Sequence, residues 1–578
     1  MSQTNRIEAF RQEYINSKPM ICCERARIFT ESHKKTEGEA ICIRRAKAFL
    51  ETCKELPIKI FENELIVGTA GKFRRTGILT PEFSWQWVDK EMDTFDKRTQ
   101  DPYVISKEQI EFIRKEIFPY WKGKSLEEVF LARIPEDTAK ILVDTGIIDN
   151  DSKWRQAVGE VTPDYQDILF VKGYKGIKED ADKKIKELDI SVSENIEKID
   201  FYKSVSIVAQ GIMTLAQRYS NLAKEMSKQE TDEKRKLELI KISEICMNVP
   251  ANPPTNFYEA IQFVWFVQLG GILSENPLAL NLGRFDQYMY PYVKADLESG
   301  RETEESIVER LTNLWIKTIT INKVRSQAHT FSSAGSPLYQ NVTIGGQTRD
   351  KKDAVNPLSY LVLKSVAQTH LPQPNLTVRY HAGLDARFMN ECIEVMKLGF
   401  GMPAFNNDEI IIPSFISKGV LEEDAYDYSA IGCVETAVPG KWGYRCTGMS
   451  YMNFPKVLLI TMNDGIDPAS GKRFAPSFGH FKDMKSFDEL QTAWDKTLRH
   501  LTRMSVIVEN SIDLSLEREV PDILCSALTD DCIGRGKEIQ EMLIHDAPKY
   551  GNDDDYADSL VREAYDIYVD EIAKYPNT

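Results

Sequence analysis

The clearest periodicity in the chain runs through Phe201, Val205, Val208, Ile212, Leu215, Tyr219, Leu222 and Met226, apolar positions spaced by four and three. That spacing lines one face of a long helix against a core. Ser191 with Glu194 ahead of it predicts a capping box. Lys224 to Lys241 is a charge-rich helical surface, closed by Pro250, Pro253 and Pro254. Phe257 to Leu273 is apolar all round and predicts a buried helix. Residues 5 to 55 read as helices, with Cys22-Cys23 inside one and Glu24-Arg25-Ala26-Arg27 on a solvated face. Glu62 to Gly68 predicts a turn entering a short buried strand.

From residue 339 the texture changes. Tyr339 to Gly346 reads as strand then turn, Tyr360 to Ala367 as helix, and Pro374 to Tyr380 as strand. Phe388 to Leu398 reads as helix, Pro403-Ala404-Phe405 as strand, and Phe487 to Leu514 as helix. Strands alternating with helices predict βαβ units and a parallel sheet, hence an α/β fold. Gly399-x-Gly401-x-x-Ala404 follows a helix and opens none, so it lacks the context of a dinucleotide-binding turn.

Composition narrows the function. With 578 residues, 42% of them hydrophobic and 28% charged, the chain can bury a large core. A net charge of −15 with no obvious basic face argues against nucleic-acid partners. Met1 to Arg6 has no apolar signal core, and no run approaches the ~18 apolar residues of a membrane helix. These features predict a cytoplasmic protein with no membrane partner. The 10 cysteines are scattered without a Cys-x-x-Cys, and the 7 histidines show no ligand spacing, which argues against a metal site.

Ala430-Ile431-Gly432-Cys433-Val434-Glu435-Thr436-Ala437, followed by Pro439-Gly440, lies between an amphipathic run (Leu421 to Tyr428) and an apolar one (Met452 to Met462). Small residues and Pro-Gly mark a loop, where reactive groups tend to sit. On an extended backbone Cys433 and Glu435 would point to the same side. The stretch resembles the cysteine loop of glycyl radical enzymes, specifically the Gly-Cys-Val-Glu loop of their diol dehydratase and lyase branch. The resemblance covers almost the whole chain: Glu62 to Gly68, Pro81 to Trp85, Tyr120 to Gly123, Gly283 to Tyr292, Val520 to Leu528, Asp530 to Ile533 and Pro548 to Asp555 are similar to other segments of that family.

The resemblance implies a pyruvate formate-lyase-like, ten-stranded α/β barrel surrounded by helices. A large domain would occupy 1–540, with the cysteine loop near 430–447, and 541–578 would be a remnant of the segment leading to the glycyl radical domain. A glycyl radical, installed by a separate radical-SAM activating enzyme, would be the organic cofactor; no bound cofactor or metal is implied, and a homodimer is expected. Cys433 would form the thiyl radical and Glu435 would be the general base. A single cysteine flanked by Gly432 and Val434 argues against acyl transfer of the formate acetyltransferase kind. The positions that hold hydroxyls in glycerol and propanediol dehydratases differ here. Glu160 stands for a histidine, Glu275 to Ala279 covers a His-Ser pair, and Cys446-Thr447 falls near an aspartate. Glu160, Tyr339, Thr447 and Arg445 are the candidate substrate contacts, and a larger polyol, phosphorylated or not, would suit Lys441 or Arg445. The expected reaction is loss of water or cleavage of a C–O bond from a small molecule. C–N, C–S or C–C cleavage, or a formate acetyltransferase-like reaction, on the same scaffold is the alternative. The family's Arg-Val-x-Gly-Tyr glycine motif does not occur in this sequence, so a non-catalytic remnant, or a subunit completed by another polypeptide, is a further alternative.

Overall fold

In the computed structural model the described residues are 3–149, 154–155, 159–332, 334–335, 338–433, 435–441, 443–444, 451–539 and 541–542. The strands are short. The first are β1 (Met20–Cys22), β2 (Thr76–Ile78), β3 (Ile148–Asp149) and β4 (Glu160–Val161). Then come β5 (Ala279–Leu280), β6 (Gly283–Arg284), β7 (Ile321–Lys323), β8 (Asn341–Gly345), β9 (Asn375–Tyr380) and β10 (Ala404–Asn407). The last are β11 (Ser429–Ile431), β12 (Glu435–Ala437), β13 (Gly443–Tyr444) and β14 (Tyr451–Met452).

Parallel pairing dominates. β1, β2 and β7 form one parallel sheet, and β10, β9, β8 and β6 form another, in those orders. β4 lies parallel to β5, and a bridge from Ala279 to Tyr339 joins β5 to the residues just ahead of β8. Parallel neighbours need crossovers, and here they are helices: Pro357–Thr369 between β8 and β9, Ala386–Met396 between β9 and β10. These are the parallel arcs of an α/β barrel with its helices outside.

The core sits between the arcs and the helices. Helix Phe257–Glu275 is buried along its whole length, as an apolar surface all round requires. Helix Glu194–Gln229 lays Phe201, Val205, Val208, Ile212, Leu215 and Tyr219 into the same core. Strand alternation then divides β8: Val342 and Ile344 join that core, while Thr343 faces the other way and accepts a hydrogen bond from the Ala430 amide (3.0 Å). The inner face of the arc is therefore polar and meets the β11–β12 hairpin.

Four local expectations are corrected. Cys22 ends strand β1 rather than lying in a helix, because Met20 to Cys22 pair with Thr76 to Ile78. Arg25 is fully buried, donating to Glu82 (2.7 Å) and to the Leu273 carbonyl (2.8 Å). Charge in a helix reads as solvated only until a distant carboxylate supplies its partner. Glu62 to Gly68 enters a buried segment that joins no sheet; the Leu65 and Ile66 amides donate to Asn313 and the Val67 amide to Gln262. The long helix begins at Glu194 without a capping box, since the Glu194 carboxylate accepts from Ser193 Oγ and Ser191 turns to Asp189. Most of 541–578 lies outside the described residues.

Arg379 of β9 anchors the chain entering the hairpin. Its guanidinium pairs with both Asp408 oxygens (2.8 and 2.9 Å) and donates to the Tyr426 and Tyr428 carbonyls (2.9 Å each). Both ions are fully buried. Arg379→Met should cost about 3–5 kcal/mol in urea unfolding, because it strands the Asp408 charge. Arg379→Lys should recover little of it, since an ammonium cannot serve both carboxylate oxygens and two carbonyls.

Candidate active site

Ser429–Ile431 and Glu435–Ala437 pair antiparallel, Ile431 opposite Glu435, so Cys433 sits at the tip of a hairpin. The backbone is not extended through it. Gly432 adopts φ +53°, and a Cβ there would stand 2.7 Å from Glu435 Oε2 and 3.2 Å from Glu160 Oε2. Glycine is thus what lets two carboxylates approach this turn. Glu435 curls back, its Oε2 accepting the Cys433 amide at 2.9 Å. The Gly432 peptide is gripped on both sides: its N–H donates to Asn281 Oδ1 (3.0 Å), and its carbonyl accepts from Asn375 Nδ2 (3.3 Å).

The strand register explains who meets Cys433. Glu160 is paired with Ala279, and Ala279 is bridged to Tyr339, so the three form one row across neighbouring parallel strands. Registered neighbours point to the same side. The small methyl of Ala279 therefore stands between Glu160 and Tyr339, whose hydroxyl donates to Cys433. Two residues further along, Asn281, Asn341 and Asn375 make a second row: the Asn341 amide donates to Asn281 Oδ1 (3.1 Å), and Asn341 is registered with Asn375.

Among the described cysteines Cys433 is the exposed one. Desolvation by the surrounding wall, then the charges of Glu435 and Glu160, push its thiol up to about 11 against the pull of Tyr339 and of Arg325. Cysteine nucleophiles sit in electropositive surroundings that lower the thiol pKa. This site does the reverse, and its burial and charges disfavour the thiolate. Arg325 is buried with its guanidinium 5.8 Å from the Tyr339 ring centre. No cluster of metal-ligating side chains occurs among the described residues, nor any helix long and apolar enough to cross a membrane.

The structure thus brings together Cys433, Glu435, Glu160 and Tyr339. Arg445 and Thr447 lie outside the described residues. Lys441, suited to a phosphate by sequence, is paired to Asp424 at 2.5 Å. Glu275 turns away from Cys433; its carboxylate accepts the Leu524 and Cys525 amides (2.5 and 3.1 Å). Asn281, Asn341, Asn375, Thr343 and Arg325 were not legible as site residues. The available signal was asparagine in or beside strands, a residue that strands disfavour unless something polar lies against it.

The family profile of pyruvate formate lyase-like proteins matches residues 1–542 and 537–578. The chain is 37% identical to the probable dehydratase YbiW of Escherichia coli (strain K12), over 99% of this chain and 78% of that protein. It is 32% identical to an isethionate sulfite-lyase of Oleidesulfovibrio alaskensis (strain ATCC BAA-1058 / DSM 17464 / G20), over 94% and 74%. The glycerol-bound B12-independent glycerol dehydratase from Clostridium butyricum superposes with a TM-score of 0.89 at 32% identity, covering 100% of this chain and 79% of that one. With a hairpin that sets a cysteine beside a carboxylate, the chain belongs to the pyruvate formate lyase-like family, in its glycyl radical dehydratase and lyase branch.

Proposed function

We propose that this glycyl radical lyase removes water from, or breaks another C–O bond in, a small polyol-like substrate, phosphorylated or not. The observation that carries the reading is geometric: Cys433 stands at a hairpin tip with the Glu435 carboxylate folded onto its own amide and Glu160 close to the same turn. A glycyl radical, carried by the Arg-Val-x-Gly-Tyr motif that this sequence does not contain and installed by a radical-SAM activating enzyme, would supply the one-electron oxidising equivalent for Cys433.

The residues of this chain do the rest. Cys433 sulfur takes a hydrogen atom from a carbinol carbon and regains its S–H bond. Glu435 takes the proton of that carbinol's hydroxyl. The resulting ketyl expels hydroxide from the neighbouring carbon, which leaves as water once protonated, and a carbonyl radical remains. That radical takes the hydrogen atom back from Cys433, so no net electron is consumed. Glu160 and Tyr339 flank the space over Ala279 and contact the substrate, with Arg445 and Thr447 as further contacts.

A second reading has its own support. Arg325 places a positive charge near Cys433, which would suit an anionic leaving group such as sulfite, and C–S cleavage is the reaction named in the isethionate sulfite-lyase relative.

Supplied with a polypeptide carrying the Arg-Val-x-Gly-Tyr glycine and activated anaerobically, the protein should convert a polyol or polyol phosphate to an aldehyde or ketone; release of sulfite from isethionate, with no polyol turnover, would favour the second reading. Cys433→Ser should abolish turnover. Glu435→Gln should lower kcat by about 10²–10⁴ while leaving the Cys433 thiol in place. Alkylation of Cys433 by iodoacetamide, followed by peptide mass spectrometry, should be slow at pH 8 and accelerate up to about pH 11. Glu160→Gln removes a repelling charge, lowers the thiol pKa and should speed alkylation at pH 8 several-fold.

A further inference from the structure

Asn341 is fully buried, and among the described residues neither its side-chain nitrogen nor its side-chain oxygen has a hydrogen-bond partner. A buried carboxamide left unpaired costs the desolvation of both groups, and native structures rarely keep one without a reason.

Its position supplies the reason. Thr343, two residues along β8, turns its hydroxyl to the Ala430 amide of the hairpin. Tyr339, two residues back, turns its hydroxyl to Cys433. Strand alternation puts Asn341 on the same face, between them. Its neighbours in the row, Asn281 and Asn375, grip the N–H and the carbonyl of Gly432. Three asparagines thus stand side by side along the row; the outer two hold the Gly432 peptide, and the middle one leaves a donor and an acceptor unpaired beside them.

We propose that Asn341 is a substrate-binding residue whose carboxamide holds a substrate hydroxyl, Nδ2 donating to the oxygen and Oδ1 accepting its hydrogen. A neutral group with one donor face and one acceptor face complements a hydroxyl, which has both, better than it complements a carboxylate, phosphate or sulfonate, which only accept. The assignment rests on the lyase reading for the ligand class, but the unpaired amide stands without it. Asn341 selects for a hydroxylated carbon close to the one that meets Cys433, and so separates polyols from otherwise similar anions.

The test compares the wild-type full chain with Asn341→Leu, which is nearly isosteric and has no polar atoms, in two measurements. The first is binding of erythritol and of glycerol 3-phosphate by saturation-transfer NMR. The second is the melting temperature without ligand. Wild type should bind at least one probe, and the leucine variant about tenfold more weakly, the loss of one hydrogen bond to a buried group. Its melting temperature should rise by about 1–3 °C, because an unpaired buried amide is gone. Equal probe affinity in the two proteins would overturn the assignment and leave the lyase reading intact. If wild type binds neither probe, the polyol reading fails, and the melting temperature decides Asn341. A rise supports an amide kept for a ligand; an unchanged or lower value overturns it. Should the leucine variant not fold, Asn341→Ala read by probe affinity carries the same expectation.

Discussion

The site depends on a polar grip on one peptide. Gly432 is held by its N–H from Asn281 and by its carbonyl from Asn375, while Thr343 and Arg379 fix the strand that leads into it. All four side chains come from, or directly adjoin, parallel strands that are themselves fixed by buried helices. Cys433 therefore rides on a loop, but its backbone is held by the strands around it. A tight hairpin needs one residue with positive φ, and glycine there lets Glu435 and Glu160 close in on the turn without a side chain between them.

Electrostatics follow from that closeness. Two carboxylates and a partly desolvated wall all act against a thiolate, and Tyr339 and Arg325 do not reverse the balance. An enzyme using cysteine as a nucleophile would need the opposite arrangement. Here the same groups disfavour the thiolate and set a carboxylate beside the thiol. The cost is repulsion at the hairpin, offset by the hydrogen bond from the Cys433 amide to Glu435.

Charge buried elsewhere obeys the same logic at longer range. Arg25 with Glu82, Lys317 with Glu64 and Arg379 with Asp408 are all pairs between segments far apart in sequence, each fully or almost fully buried. Such pairs add little net stability over apolar replacements but are costly to break singly. They lock the N-terminal segments and the hairpin approach onto the barrel in one register.

Helix and strand types were legible wherever the apolar period was long or alternated regularly. The stripe from Phe201, the apolar run from Phe257 and the alternation from 339 to 405 appear as read, while Asn406 and Asn407, read as a polar loop, extend β10. Cys433 and Glu435 were legible as a motif, through two residue types at a fixed spacing in a family-like loop. Glu160 and Tyr339 were named from the resemblance, but their meeting with Cys433 is a matter of register: Glu160, Ala279 and Tyr339 are neighbours across strands and remote along the chain. The asparagine rows, the buried Arg25 and the curl of Glu435 onto its neighbour's amide depend on partners tens to hundreds of residues away or on a single left-handed turn. Local sequence sets periodicity and turn chemistry, so it determined the elements and the reactive pair. Parallel pairing and burial choose which polar groups face one another, so only the tertiary structure decided the rest of the site.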